Sequence, residues 1–391
     1  MKYTLSVVAA MVLLASCGGS STSTNDNSLS GSGAAYPDSY LDMNANTNGS
    51  LEGSALEERK QLENDLATAK QLLAEAQEMD ITKSQDDIKA RITAVKEKAT
   101  SLREVDDFFV EADSLLQDAQ TLEDRVANYV QVAALPLHED LSGKFQDISI
   151  KSLMKQGGNI FAVAEKGVYG PINSGKVEDV KAITLPEGSI GTSGTYSIKY
   201  RESYITSLPG QMWKIAGDAL TPQKVEEGGA WYPGSEIWTY SKFIYILDPL
   251  SKQLWKYEYI SENLFKKPII AIDTPEMKAL DIKSVSIDGN IYVLGNGTIT
   301  KFTQGKKIDL EIGADLKNLS SSSTIYTDQN STYLYAFDPT AGRLIRFKKR
   351  ATGLDVANEY TIQGSYKGMI VSPDEKSVFF FDTNKIYKLA L

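Results

Sequence analysis

The chain has few of the residues on which catalytic and metal sites usually depend. Its 391 residues include one cysteine, Cys17, and one histidine, His138. A single cysteine excludes an internal disulfide and a cysteine-based zinc cluster, and a single histidine excludes a multi-histidine metal site. Acidic side chains outnumber basic ones by 51 to 41, which argues against nucleic acid as a partner. What the sequence does indicate concerns location and architecture.

Sequence motifs of the common active sites are also missing. The chain contains no glycine-rich phosphate loop, no His-Glu-x-x-His, no EF-hand loop and no Gly-x-Ser-x-Gly. His138 stands beside two acidic residues in the connection between a helical and a strand-rich region, and we interpret it as an exposed linker histidine. We expect no catalytic residue, no metal ligand and no cofactor.

The cysteine lies at the end of a hydrophobic leader. Residues 1–17 read MKYTLSVVAAMVLLASC, with an apolar run of about a dozen residues where about 20 are needed to span a bilayer. The order Leu-Ala-Ser-Cys resembles the lipobox of bacterial lipoproteins, whose signal is cleaved before a cysteine that then carries acyl chains. The resemblance implies a signal peptide at 1–16, lipidation (palmitate) at Cys17 and a membrane-anchored, extracytoplasmic protein. Gly18 and Gly19 imply the outer membrane if the cell has one. The alternative is an ordinary secretory signal that contains a cysteine.

A polar segment separates this leader from the rest. Residues 17–52 are rich in Ser, Gly, Asn and Thr, which is typical of a flexible tether. The N-terminal part of the chain carries most of the negative charge. Residues 1–52 have a net charge of −3, residues 53–133 have 18 acidic and 10 basic side chains, and the remainder is nearly neutral. This acidity indicates a solvated helix exterior, with an acidic face for a basic partner as the alternative.

Residues 53–128 show helical periodicity, with apolar residues at alternating steps of three and four. Capping signals at 54–57 and 84–87 predict two helices that form an antiparallel helical hairpin or coiled coil. The second helix is longer by about 20 residues on this reading. It therefore bends near 104–107, folds back as a third helix, or packs on the next domain.

Residues 129–391 change to short β-branched and aromatic segments separated by turn residues. Six apolar runs recur at spacings of 44, 40, 47, 43 and 45 residues. A period of 40 to 50 residues is typical of four-stranded propeller blades, so the sequence predicts a six-bladed β-propeller. The runs are centred on Phe161, Ile205, Tyr245, Tyr292, Tyr335 and Phe380.

Turn sequences support the repeat. Asp248-Pro249 and Asp338-Pro339 suit type I turns, which makes these aspartates structural rather than catalytic. The segment SPDEK at 372–376 resembles the Ser-Pro-Asp-Gly-Lys turn of TolB-like and NHL-type six-bladed repeats, with Glu375 where glycine is usual. This resemblance covers the repeat region and implies the fold without an activity.

The sixth repeat ends one strand short at Leu391. Residues 129–135 resemble the outer-strand segment of the first blade, so we predict that they complete blade six and close the ring. The competing interpretation is that they extend the preceding helix.

One aromatic segment is the candidate ligand patch. Trp231, Tyr232 and Trp238 lie in or near an inter-blade connection, whereas Trp213 and Trp255 occupy a repeat position typical of blade packing. Basic pairs after the third strands are interpreted as solubilising edge charge, with a basic rim as the alternative.

Two functions remain. The first is a membrane-anchored extracytoplasmic lipoprotein that acts as a protein-binding or scaffolding module of the cell envelope. The alternative is an envelope propeller enzyme, resembling lactonases or glycan-processing enzymes, with a calcium in the central channel. The binding function is favoured because a fold alone does not confer chemistry.

Overall fold

A computed structural model of the chain describes residues 48–81, 83–248 and 250–391, with side chains from residue 54 onward. The chain divides into two compact units, Met1–Arg59 and Lys60–Leu391. The predicted signal peptide, the predicted lipidation residue Cys17 and the predicted tether as far as residue 47 lie outside the described residues.

In the part of the chain that the structure describes, three longer α-helices precede the strands. They are α1 (Asn48–Glu78), α2 (Gln85–Arg103) and α3 (Phe109–Ala127), with a short 3-10 turn at Asp106–Phe108 between the last two. The prediction that α1 begins at Ser54 is wrong, because the helix starts at Asn48 and runs through this serine. A serine cap contributes only about 1 kcal/mol, and Leu51 and Glu52 are good helix formers. Ser84 does lie at the cap of α2, although its side chain makes no capping hydrogen bond.

The segment predicted as one long second helix is two helices, so the chain takes the third-helix alternative. Residues from all three helices share one buried apolar cluster, in which alanines allow close approach of the backbones. Its helical members are Ala69, Leu73, Ala76, Ile88, Ile92, Val95, Ala99, Leu115, Ala119, Leu122 and Val126.

Six β-sheets follow, each forming one blade. Two strands come before the first complete blade: β1 (Tyr129–Ala134) and β2 (Leu137–Asp140). Blade one consists of β3 (Ile150–Gln156), β4 (Asn159–Ala164), β5 (Gly167–Gly170) and β6 (Lys181–Thr184). Blade two consists of β7 (Ile190–Ser197), β8 (Glu202–Leu208), β9 (Gln211–Ala216) and β10 (Ala219–Pro222).

Blade three carries short additional strands at its outer edge. It consists of β11 (Lys224–Val225), β12 (Glu236–Tyr240), β13 (Phe243–Asp248), β14 (Gln253–Ser261), β15 (Leu264–Phe265) and β16 (Ile269–Ile270). The short helix α4 (Pro275–Lys278) leads to blade four, which consists of β17 (Ile282–Ile287), β18 (Ile291–Gly295), β19 (Thr298–Thr303) and β20 (Lys306–Ile308).

Blades five and six complete the ring. Blade five consists of β21 (Glu311–Ile312), β22 (Thr324–Tyr326), β23 (Tyr333–Asp338), β24 (Arg343–Lys349) and β25 (Gly353–Gln363) together with β1. Blade six consists of β26 (Gly368–Val371), β27 (Ser377–Phe381) and β28 (Lys385–Ala390) together with β2.

The six-bladed prediction is confirmed, and each predicted apolar run is the second strand of its blade. A second strand has a neighbour on each side within its sheet and is covered on both faces by the adjoining blades. Its residues are therefore mostly buried and mostly apolar, without strict alternation. The six runs correspond to β4, β8, β13, β18, β23 and β27.

A strand from the start of the domain closes the ring, as predicted. The prediction that residues 129–135 form this strand is wrong. β1 pairs in parallel with β25 of blade five, through Tyr129 opposite Glu359. It is β2 that completes blade six, antiparallel to β28, with Leu137 opposite Tyr387. The chain leaves α3 beside β25, and Pro136 separates the two strands because its nitrogen has no N–H to donate.

This arrangement also corrects the interpretation of His138. The residue lies in β2 and is half-buried, rather than exposed in a linker. Its ring nitrogen Nε2 is 2.8 Å from the carbonyl oxygen of Ile172, and its ring lies 5.0 Å from that of Phe379. Burial lowers its pKa below the ordinary value for histidine.

The predicted turn aspartates act as acceptors for backbone N–H groups. Oδ1 of Asp338 accepts from Thr340 at 2.9 Å, and Oδ1 of Asp248 accepts from Leu250 at 3.0 Å. Pro249 lies outside the described residues. Glu375 has the positive φ of 53° that glycine usually supplies at this turn.

Candidate functional site

A channel runs through the centre of the propeller. The six inner strands β3, β7, β12, β17, β22 and β26 contact one another in this order, and β26 contacts β3 to close the circle. The channel encloses a cavity of about 460 Å³, within the usual range for small-molecule sites. All six inner strands contribute to its wall, through residues such as Met154, Thr195, Trp238, Ile287, Tyr326 and Met369.

Glu236 is the carboxylate at the start of β12 on the channel wall. Its Oε1 accepts from the Ser284 hydroxyl at 2.7 Å, and its Oε2 accepts from the backbone N–H of Val285 at 2.9 Å. Burial raises the pKa of Glu236 to about 7, against the opposing effect of these two hydrogen bonds. The Ser284 oxygen also accepts from the Ile325 N–H at 3.0 Å, so one network joins blades three, four and five.

A second charged group lies where β22 leaves the channel. Asp328 forms an ion pair with Lys155 of blade one, with 2.5 Å between carboxylate oxygen and Nζ. The same carboxylate accepts from the Tyr326 hydroxyl at 2.8 Å, and the lysine Nζ lies 5.0 Å from the centre of the Tyr326 ring. Burial alone would raise the pKa of Asp328, but Lys155 holds it below its ordinary value.

These contacts define what the channel can do chemically. Its two carboxylates, Glu236 and Asp328, are held by donors of the propeller itself. Within the described ranges, no group of three or more His, Cys, Asp or Glu residues is arranged to hold a metal ion. The channel wall combines aromatic faces, hydroxyls and amides, which suits reversible binding of a small ligand.

The structure separates the three predicted ligand residues into two places. Trp231 is buried, donates from its indole Nε1 to the Gln223 carbonyl oxygen at 2.9 Å, and packs on Tyr257. Tyr232 follows it at the surface. Trp238 lies on β12 and lines the channel, with its ring 5.7 Å from that of Tyr326.

Tyr232 forms an exposed aromatic stack. Its ring lies 4.1 Å from the Trp255 ring with an interplanar angle of 8°, and 36% of the residue is exposed. Its backbone N–H donates to the Tyr257 hydroxyl at 2.9 Å, which fixes the chain at this point. The sequence-based assignment of Trp213 to blade packing agrees with its burial. Trp255 is partly buried against the core of blade three and also supports the exposed tyrosine.

Sequence reasoning missed the polar residues of the channel. Glu236, Lys155 and Asp328 come from three different blades, and each looks like an ordinary charged residue near a strand end. Their convergence depends on the radial arrangement of the inner strands. Their position within the repeat could have identified them, because all three lie within or just after the first strand of a repeat.

The basic pairs after the third strands lie near acidic partners. Lys266 and Lys307 are exposed, as expected of edge charge, whereas Lys349 is largely buried together with Asp288. Lys266 lies 2.9 Å from Glu258, Lys307 lies 3.1 Å from Asp309, and Lys349 lies 2.7 Å from Asp288. Among the helices in the described ranges, none has the length and apolar character needed to cross a membrane.

Comparisons with known proteins found similarity to solved structures only, at low sequence identity. No protein-family model and no curated protein matches the chain. Among solved structures, a gluconolactonase from Xanthomonas campestris is 12% identical with a TM-score of 0.45, over 65% of this chain and 88% of that one. The WD40 repeats of RRP9 are 9% identical with a TM-score of 0.45, over 63% and 96%. YCF48 bound to a D1 peptide is 12% identical with a TM-score of 0.42, over 63% and 80%.

The arrangement of its strands defines the structural class of this protein. The chain carries a six-bladed β-propeller, closed by a strand from the start of the domain and preceded, among residues 48–128, by three longer helices.

Proposed function

We propose that this protein is a lipid-anchored lipoprotein of the bacterial cell envelope, whose propeller binds protein partners outside the cytoplasm. The Leu-Ala-Ser-Cys motif supports lipidation at Cys17, and the polar residues that follow support a tether. The domain order of the proposal is signal peptide, tether, helices and propeller. An outer-membrane location is the favoured destination if the cell has this membrane.

The helices act in this proposal as a stiff spacer, with α1 and α2 as an antiparallel hairpin. Lys98 of α2 pairs with Asp65 of α1 at 2.5 Å, and Arg91 of α2 pairs with Glu75 of α1. The later residue of α2 thus pairs with the earlier residue of α1, as antiparallel helices require. The Lys98 ammonium holds the pKa of Asp65 below its ordinary value.

The observation that carries partner binding is the Tyr232 stack. A tyrosine that is exposed yet immobilised on a tryptophan loses little conformational entropy when a partner covers it. Such rigid aromatic anchors supply much of the binding energy at protein interfaces. Tyr232 is therefore the proposed contact residue, with Trp231 and Trp255 as its support.

Lipidation is tested by growing cells with an alkyne-labelled palmitate and isolating the full-length protein. We expect the wild-type protein to carry the label and to be found in the membrane fraction. We expect Cys17→Ser to be unlabelled and absent from the membrane fraction. Ser16→Ala provides a matched control, because alanine keeps a small residue before the cysteine. Release of unlabelled wild-type protein into the soluble fraction would show an ordinary secretory signal instead.

Partner binding is tested by photo-cross-linking in intact membranes. A photoreactive phenylalanine replaces Tyr232, and in a control it replaces Asp218, which lies in the exposed turn between β9 and β10. We expect a discrete cross-linked protein from position 232 only. The same pattern from both positions, or none from either, would contradict the proposal. The enzyme alternative would replace it if calcium raised the unfolding temperature and no partner cross-linked.

A further inference from the structure

The central channel is a second candidate binding site, separate from the Tyr232 stack. Its charged side chains are engaged by neighbouring residues in the described structure. Lys155 pairs with Asp328 at 2.5 Å, and Glu236 accepts two hydrogen bonds from blade four. At the same end as Glu236, Lys151 pairs with Glu165 at 2.6 Å. An ionic ligand would have to displace these pairs, so the channel favours an uncharged ligand.

Lys367 is the remaining charged residue of the channel wall. Its Nζ donates to the Thr383 hydroxyl oxygen at 2.8 Å, and the residue is exposed at one opening. A cation in contact with solvent contributes little to the binding of an anion deeper inside. It does not alter the preference of the interior for an uncharged ligand.

Uncharged hydrogen-bonding groups are available along the same wall. The side-chain amides of Gln329 and Asn330 line the channel and make no hydrogen bond with another described residue. The Ser152 hydroxyl is buried without a partner among the described residues. Buried polar groups are normally satisfied, so such a hydroxyl invites a ligand or water. Amides and hydroxyls both donate and accept, which matches a ligand that does the same.

Aromatic faces complete the site. The ring of Trp238 is half-buried on the wall and lies 5.7 Å from the Tyr326 ring, at an interplanar angle of 50°. The indole N–H of Trp238 is directed toward Glu236 but makes no hydrogen bond of normal geometry. A ligand with flat C–H faces can pack on these rings while its polar edges reach the amides.

We infer that the central channel binds a neutral saccharide, such as the end of a short glycan chain. A sugar ring presents C–H faces to aromatic side chains and a rim of hydroxyls that both donate and accept. This combination matches Trp238 and Tyr326 together with Gln329, Asn330 and Ser152. The cavity of about 460 Å³ is large enough for a small-molecule ligand. The inference does not depend on the proposed protein partner, because Tyr232 lies outside the channel wall.

The test uses the full-length protein in detergent. An array of neutral and acidic oligosaccharides identifies bound glycans, and calorimetry with the best neutral glycan measures its Kd. We expect Trp238→Ala to weaken binding about tenfold or more, and Asn330→Ala to weaken it about fivefold. Asn330 is exposed, so this variant is expected to keep its unfolding temperature and remain informative if Trp238→Ala fails to fold.

Tyr232→Ala serves as the matched control and is expected to leave the Kd unchanged. Failure of the array to show any neutral glycan, or an unchanged Kd in both channel variants, would overturn the inference. So would preferential binding of acidic glycans, or displacement of the glycan by an unrelated extended peptide. None of these outcomes affects the cross-linking result at position 232, so the two proposals fail independently.

Discussion

Replacing Glu236 by glutamine should change how the stability of the propeller depends on pH. Burial raises the pKa of this carboxyl group from an ordinary value of 4.5 to about 7. Between these two values, the folded protein keeps a proton that the unfolded chain releases. The free energy of unfolding therefore falls as pH rises through this window, because the unfolded state binds fewer protons.

The magnitude follows from the width of the window. One pKa unit corresponds to 1.36 kcal/mol, so a shift from 4.5 to about 7 corresponds to about 3 kcal/mol. This loss is complete above the folded pKa and absent below the unfolded pKa. Glutamine resembles the protonated acid, since it is neutral and has one donor and one acceptor group. It can retain a hydrogen bond to Val285 without carrying a charge into the wall.

The measurement is urea denaturation of the wild type and Glu236→Gln at intervals from pH 4 to pH 8.5. The difference in unfolding free energy between the two proteins should grow by about 3 kcal/mol across this range, in favour of the variant at high pH. Glu187→Gln, on the exposed turn before β7, is the matched control and should follow the wild type. Parallel curves for wild type and Glu236→Gln, or a Glu236 carboxyl signal that titrates near 4.5 in NMR spectra, would refute the reasoning.

Two further predictions concern packing and ion pairs. Phe380→Ala should lower the free energy of unfolding by about 3–5 kcal/mol, because the ring is fully buried in the core. Leu250 is 91% exposed, so Leu250→Ala should change the free energy of unfolding by less than about 0.5 kcal/mol. Equal losses for the two variants in urea titrations would contradict this prediction. Arg343→Met should cost about 3–5 kcal/mol by leaving the buried carboxylate of Glu359 without its 2.8 Å partner. Lys252→Met removes an exposed ion pair and should cost at most about 1 kcal/mol, so comparable losses in the two variants would be inconsistent with the burial.

The blade count could be predicted because each repeat carries its own local signals. The second strands are covered on both faces, so their apolar runs stand out and set the period. Aspartate turns recur at corresponding places for a local reason, since an Asx side chain accepts from the backbone two residues later. Glu375 departs from the expected glycine, yet its carboxylate accepts a hydrogen bond at 2.8 Å from the backbone N–H of Thr332 in the preceding blade, blade five.

The closing strand shows where local signals were insufficient. Residues 129–135 and Leu137–Asp140 are both short and partly exposed, and either is compatible with an edge of a sheet. Their partners are more than 220 residues away in the chain, at β25 and β28. The choice between them depends on where α3 delivers the chain, which no neighbouring residue encodes.

The sequence by itself determined the period of the repeat, the helical segment, the acidic N-terminal part and the lipobox resemblance at Cys17. Each of these depends on residues close together in the chain. Only the tertiary structure decided which strand closes the ring, that Tyr232 is exposed on Trp255, and that Glu236 and Asp328 share one channel. Those features require inner strands from separate blades to meet around an axis, and that meeting is fixed by the packing of whole blades.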